Sequence, residues 1–393
     1  MHVVVLGAGY AGLTLTRLLE RDLPTEVDLT IVNDSPDHLV QHELHHVIRR
    51  PEVAADVTIP LTRVLDRASV RVATVEEIDR DERLVKCSNG SLSYDVCAIC
   101  LGAQTAFYGL EGVREHATPV KRLHHADRIR EKFLDVVDEK SGATGDESTT
   151  ETGESRLVVG GAGLSGIQVA GELAALARDE GAMVTITLLE QDEDVAPDFP
   201  ENFRRAVRSE LVNQGVDVRT DETVVRADES FVHLDGSDRL RYDQLIWTGG
   251  IRGPNALENE RPTVRSDLRL DDRTFVLGDA ARVVDANGQT VPASAQSAVR
   301  EARTVAENVS RLIEADLDGA VFEPRMERFA FDSPGWLVSV GDSAVAQVGP
   351  SVVTGRSATA LKTTVGIGYL SSVGAADSAF VRVLSEKRRL TND

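Results

Sequence analysis

The sequence predicts an α/β fold containing two Rossmann-like dinucleotide-binding domains, because one pattern of strand, glycine loop and helix occurs twice. It opens the chain as "HVVVLGAGYAGLTLTRLLE" and returns as "SRLVVGGAGLSGIQVAGELAAL". Each copy is followed by a second apolar strand, "VDLTIV" and "AMVTITLLE". One G-x-G-x-x-G alone is weak evidence; two copies, each in its full strand–loop–helix context, are specific.

In the first copy a β-branched run leads into Gly7, Gly9 and Gly12, then into a helical period of Leu13, Leu15, Leu18 and Leu19. The first glycine permits the tight turn, the second lets backbone approach a pyrophosphate, and the third lets the helix lie close on the strand. The helix start adds free N–H groups and roughly half a positive charge for phosphates. Asn33 stands where a ribose-binding acid is expected about twenty residues after the loop, with Asp34 beside it. In the second copy the glycines are Gly161, Gly163 and Gly166, and the strand ends at Glu190. A carboxylate there accepts from both ribose hydroxyls and repels a 2′-phosphate, so NAD(H) is favoured over NADP(H).

At 393 residues the chain exceeds one ordinary domain. No apolar run approaches the ~18 residues of a membrane span, and "MHVVVLGAGY" does not read as a signal peptide. A soluble or peripheral protein on the cytoplasmic side is expected. The net charge is −21, from 64 acids against 43 bases, and lysine occurs only at 86, 121, 132, 140, 362 and 387. Such a surface argues against nucleic acid as a partner and suits a salt-rich, halophilic cytoplasm.

Two short motifs invite other chemistry. His42-Glu43-Leu44-His45-His46 matches the H-E-x-x-H pattern of zinc hydrolases, in which two histidines four apart share a metal. It directly follows the first ribose-binding turn, so these histidines are expected to line or flank a cofactor or to be surface polar residues, and no metal is expected. Cys97 and Cys100 form C-x-x-C, but inside the apolar run "YDVCAICLGA", which reads as a buried strand rather than an exposed redox site.

The remaining motifs close the nucleotide domains. "YDVCAICLGAQTAFYGLEG" carries Gly102, "LIWTGGIRGP" carries Gly249, and "RTFVLGDAARV" carries Gly278 and Asp279. "VPASAQSAVREARTVAENVSRLI" then places Ala295, Ala298, Val299, Ala302, Val305, Ala306, Val309 and Leu312 on one helix face, with Gln296 near its start. Taken with "GWLVSVGDSAVAQVGPSVVTGRSATALKTTVGIGYL", the chain resembles the type II NADH dehydrogenases along most of its length. The resemblance implies a glutathione-reductase-like fold: an FAD domain (1–120 and 264–320) split by an NAD(H) domain (155–262). A small C-terminal α+β region (321–393) would face quinone and membrane.

The resemblance further implies that Asp279 meets the ribityl chain of FAD and that Ala295, Gln296 and Lys362 lie near flavin and quinone. NADH would pass hydride to the flavin, and two electrons would go on to a quinone. Gln168 replaces the glutamate usual in the family, which weakens a proton-relay role there, and Gln168 orients the nicotinamide or merely packs. A peripheral membrane contact through Lys387-Arg388-Arg389 and a homodimer both remain open. The acidic stretch 140–156 reads as a disordered linker. Rival readings are a sulfide:quinone-type enzyme, a soluble flavin reductase with another acceptor, and a nucleotide-binding redox sensor without turnover.

Overall fold

The computed structural model describes residues 1–142, 154–333, 335–372 and 374–375. The first part of the chain supplies β1 (His2–Leu6), α1 (Tyr10–Asp22), β2 (Asp28–Asn33), α2 (His45–Arg49), β3 (Ser69–Val72) and β4 (Val96–Ile99). Next come β5 (Ala117–Pro119), α3 (Leu123–Gly142), β6 (Ser155–Gly160), α4 (Leu164–Asp179), β7 (Val184–Leu189), α5 (Glu201–Asn213), β8 (Asp217–Arg219) and β9 (Gln244–Trp247). The last part gives β10 (Thr274–Val276), α6 (Ala295–Leu317), β11 (Gly335–Val340), β12 (Ser343–Val348), β13 (Ser351–Thr354) and α7 (Arg356–Ser372).

Two five-stranded parallel sheets result, with one arrangement. The first runs β10-β4-β1-β2-β3 and the second β5-β9-β6-β7-β8. In each, the strand that leads into a glycine loop is central, and the strand that ends at the ribose position lies beside it. Val3, Val4, Val5 and Leu6 are completely buried, as a parallel strand covered on both faces requires. Because β10 returns to the first sheet after the whole second sheet is built, the first domain is split and the second is inserted.

The predicted boundaries shift at one crossover. Ala117–Pro119, inside the predicted 1–120 unit, pairs with β9 at the edge of the second sheet. Helix α3 belongs there too: the Gln244 side-chain amide donates to the Ile129 carbonyl at 2.9 Å. The inserted domain therefore begins near residue 117 rather than 155. Residues 140–142 of the predicted linker are the end of α3 and 155–156 start β6; the rest of it, 143–153, lies outside the described residues, as does the basic cluster 387–389.

Residues 335–372 form a small module, an antiparallel β11-β12-β13 meander covered by α7. It docks on α4 through Gly171, where a Cβ would stand 2.7 Å from the Val340 carbonyl carbon and collide with the Gly341 nitrogen. Only the missing side chain lets β11 lie this close, and the contact carries Ser339 toward α4. Gly171→Leu should therefore overpack the seam at a cost of about 1–3 kcal/mol. The expected reading is a lower thermal midpoint with faster limited proteolysis within 335–372; an unchanged cleavage pattern would show that the module docks elsewhere.

Candidate active site

The two glycine loops are near copies. Gly7 and Gly161 have φ of 97° and 95°, a left-handed region that L side chains avoid. A Cβ on Gly12 would strike the Gly7 carbonyl, and one on Gly166 the Gly161 carbonyl, so each third glycine permits close helix–loop packing. At Gly9 and Gly163 nothing lies within 4 Å of a would-be Cβ. These middle glycines are the N-caps of α1 and α4, so neither helix start has a side-chain cap from its own N-cap residue. Helix α6, by contrast, is capped by Ser294, which accepts from the Ser297 amide at 3.1 Å. A glycine-capped helix start beside open space is what an anionic pyrophosphate needs.

The strand ends complete the parallel. The Ala8 amide donates to Asn33 Oδ1 at 2.9 Å, and the Ala162 amide donates to Glu190 Oε2 at 2.7 Å. Asn33 is thus the structural counterpart of Glu190. Its amide group is further engaged with the Ser35 and Asp37 carbonyls, whereas Asp34 points to the surface and pairs with Arg122 at 2.7 Å. Gly249 packs under the second loop, where a Cβ on Gly161 would come within 2.7 Å of its Cα; Gly102, after β4, faces open space. Gly278 and Asp279 form a tight turn whose Gly278 amide donates to Glu301 Oε2 at 2.6 Å. Ala295 and Gln296 open α6, with Gln296 Oε1 accepting from the Ser333 hydroxyl at 3.4 Å.

The C-terminal module adds the third component. Helix α7 buries Ala358, Lys362 and Leu370 along one stripe, so a lysine occupies a position where an apolar residue would be ordinary. Its Nζ donates to Ser339 Oγ at 2.8 Å and lies 2.9 Å from His46 Nε2, 3.3 Å from His45 Nε2 and 3.6 Å from Glu43 Oε2. Gln168 donates to the same Ser339 oxygen at 3.4 Å. The structure therefore joins Gln168 and Lys362 through Ser339, while Gln296 meets Ser333 instead.

The histidine-rich segment is the unexpected part of the site. Glu43 and His45 are buried, and His46 is half-buried with Nδ1 2.5 Å from Glu172 Oε1. Burial pushes the Glu43 carboxyl up, but Lys362 and His42, with hydrogen bonds from His42 and His46, hold it well below the carboxylate range. Burial likewise works against the Glu172 anion, which His46, Arg50 and Lys362 stabilise on balance. His45 is pushed well below the usual histidine range by burial, then by His46 and Lys362, so it is neutral. His45, His46 and Glu172 present ligand atoms within 4.8 Å of one another, yet the Lys362 amine stands 2.9 Å and 3.3 Å from the two imidazoles. A divalent ion there would meet that cation, which removes the attraction of the zinc reading. Sequence reasoning missed Glu172 and Ser339, and met Glu43 only as part of the zinc-hydrolase pattern. The available signals were Glu172 one helical turn after Gln168, and a lysine on the buried face of α7.

Two dinucleotide folds, glycine-capped helix starts and a polar cluster at their junction define an α/β nucleotide-dependent oxidoreductase class. The chain belongs to the pyridine nucleotide-disulphide oxidoreductase family, whose model matches residues 1–302. It is 27% identical to a type II NADH:quinone oxidoreductase of Staphylococcus aureus, over 96% of this chain and 97% of that protein. Its fold is similar to that of NDH2 from Plasmodium falciparum in complex with NADH, at a TM-score of 0.83, 17% identity and 98% of each chain. The sulfide:quinone oxidoreductase of Aquifex aeolicus is similar at a TM-score of 0.76 and 18% identity, over 98% of this chain and 94% of that one. Despite the family's description, Cys97 and Cys100 are free and buried, and burial pushes both thiols up.

Glu301 generates a test of this frame. It is buried on α6, and burial raises its carboxyl from 4.5 to about 7, against the Gly278 hydrogen bond. A raised folded-state value means the proton favours the folded form. The stabilisation is complete below about pH 4.5 and is lost as pH rises through about 7, a span of about 3 kcal/mol. Glu301→Gln keeps an acceptor for Gly278 and removes the titration. It should raise the thermal midpoint at pH 8 relative to wild type and leave pH 5 nearly unchanged; equal effects at both would refute the assignment.

Proposed function

We propose that this chain is an FAD-dependent NADH dehydrogenase that passes hydride from NADH to flavin and two electrons on to a quinone, without pumping protons. The observation that carries this reading is the full-length likeness to a type II NADH:quinone oxidoreductase, which extends through the C-terminal module bearing Lys362. The residues fit both cofactors. FAD would lie on the first loop, with its pyrophosphate at Gly9 and α1 and its ribityl chain at Asp279. NADH would lie on the second, at Gly163 and α4, with Glu190 holding the ribose. FAD supplies the relay that accepts a hydride and gives up electrons in pairs.

What the protein supplies is position and charge. In this reading the start of helix α6, at Ala295 and Gln296, would face the flavin, where its dipole favours negative charge. Lys362 brings a hydrogen-bond donor, and Gln168 orients its neighbours through Ser339 instead of titrating as a glutamate would. The sulfide:quinone alternative needs cysteines that carry sulfur beside the flavin. No cysteine follows Cys100, and Cys97 and Cys100 are buried with raised thiols, which disfavours it.

Among the described residues no helix is long and apolar enough to cross a membrane. A peripheral contact through the C-terminal module is the finer reading, supported by exposed Val348, Val353 and Val365. The acidic surface supports work in concentrated salt on the cytoplasmic side.

Anaerobic stopped-flow in molar salt tests the whole proposal: NADH should bleach the flavin and a soluble quinone analogue should restore it. Bleaching without recovery would reject the quinone; no bleaching would reject the dehydrogenase. Lys362→Met should lower kcat/KM for the quinone by about a hundredfold, the scale of a positioned hydrogen-bond donor in a water-poor site. Glu190→Gln should raise the NADPH-to-NADH ratio of kcat/KM by about tenfold, equal to ~1.4 kcal/mol; an unchanged ratio would remove Glu190 from ribose recognition.

A further inference from the structure

The motif His42-Glu43-Leu44-His45-His46 is not explained by cofactor binding, and its side chains form a continuous chain of contacts. The Tyr10 hydroxyl bonds His42 Nδ1. His42 Nε2 lies 3.1 Å from Glu43 Oε1, and Glu43 Oε2 lies 3.2 Å from His46 Nε2. That same His46 nitrogen is 2.9 Å from Lys362 Nζ, and His46 Nδ1 is 2.5 Å from Glu172 Oε1. Every imidazole and carboxylate in the run from Tyr10 to Glu172 that lies between two others touches each through a different atom. Side-chain exposure is 33% at His42, 2% at Glu43, 15% at His46 and 0% at Glu172, so two buried carboxylates alternate with two more accessible imidazoles.

We infer that this segment is a proton inlet, a relay from solvent at Tyr10 and His42 through Glu43 and His46 to Lys362, which delivers a proton to the electron acceptor. The inference rests on the proposed quinone reduction and deepens it. The balance requires a proton at the acceptor: NADH + H⁺ + quinone gives NAD⁺ + quinol. NADH is oxidised and contributes two electrons with one hydrogen, the quinone is reduced, and the second hydrogen comes from water as a proton. At the acceptor an O–H bond forms as an N–H bond of Lys362 breaks. Lys362 then takes the proton of His46 Nε2, His46 is refilled through Glu43, and His42 is refilled from solvent. A proton received on Glu43 Oε1 reaches His46 after a half-turn of the carboxyl group, which exchanges its two equivalent oxygens.

The surroundings favour transit over storage. Glu43 is held well below the usual carboxylate range, mainly by Lys362 and His42 working against burial, so it hands a proton on. The charged and titratable groups facing the path are Tyr10 from α1, Glu172 from α4, Lys362 from α7, and His45 and Arg50 from the segment itself. His38 and Tyr369 pack beside Tyr10: the Tyr369 hydroxyl lies 3.0 Å from His38 Nε2, and its ring centroid is 4.8 Å from that of Tyr10. The path enters the cluster that already contains Gln168, so it supplies a titratable route where that residue has none.

The test compares the two half-reactions in the FAD-loaded enzyme and adds histidine ¹⁵N spectra. In Glu43→Gln, and separately in His42→Gln, the ratio of quinone-driven recovery to NADH-driven bleaching should fall about a hundredfold, within the range of positioned acid–base groups. The acceptor step should also lose its wild-type pH profile and solvent isotope effect. Added imidazole should restore His42→Gly. In the spectra, the ring nitrogens of His42 and His46 should respond as a coupled pair, and Glu43→Gln should uncouple them, a readout independent of turnover. Unchanged ratios in both glutamine variants, or uncoupled wild-type histidines, would overturn the relay. So would one tightly bound zinc, displaced by His46→Gln, in an active wild-type protein. Wild type that bleaches with NADH but reduces no quinone, with coupled histidines intact, would reject the acceptor and leave the wire standing.

Discussion

A lysine amine buried where three parts of the chain meet is the constraint on which the site depends. Lys362 reaches from α7 to Ser339 on β11 and to His45 and His46 on α2, while Glu43 and Glu172 supply the opposing charge. Burying an amine away from water is costly unless donors and charge are both satisfied. The C-terminal module, the histidine segment and α4 are therefore locked into one relative placement. Removing any partner leaves a buried charge exposed to a poor environment, which makes the cluster a positional device as well as a chemical one.

The nucleotide folds were legible because they are written in backbone requirements. Gly7 and Gly161 need a left-handed turn, Gly12 and Gly166 need the absence of a side chain, and these demands hold locally whatever the rest of the chain does. Asn33 shows where such reading stops. Its position was legible, but the contact that distinguishes it from Asp34, a hydrogen bond from the Ala8 amide, depends on how the loop folds back over the strand end. The boundary near residue 117 was hidden for a similar reason: a three-residue edge strand has no periodicity to detect.

The histidine cluster was illegible for a different reason. The partners of His46 lie 126 residues away at Glu172 and 316 away at Lys362. A single sequence shows that three histidines crowd one short segment, but not which acids and amines will face them. The match to a zinc pattern was a true signal of converging polar side chains. The amine on α7 brings a hydrogen-bond donor to that convergence, 2.9 Å from His46 and 3.3 Å from His45.

The return of β10 to the first sheet has a consequence for how the chain is made. Until residues 274–276 emerge from the ribosome, β4 presents a bare edge along Cys97–Ile99, all of it apolar and meant for the interior. The inserted domain, by contrast, has all its strands by Trp247 and can close first. Nascent chains thus carry a folded second domain while the first waits with an unpaired strand that can recruit a neighbour. The most vulnerable moment in the life of this protein falls after the inserted domain is finished and before the edge is covered.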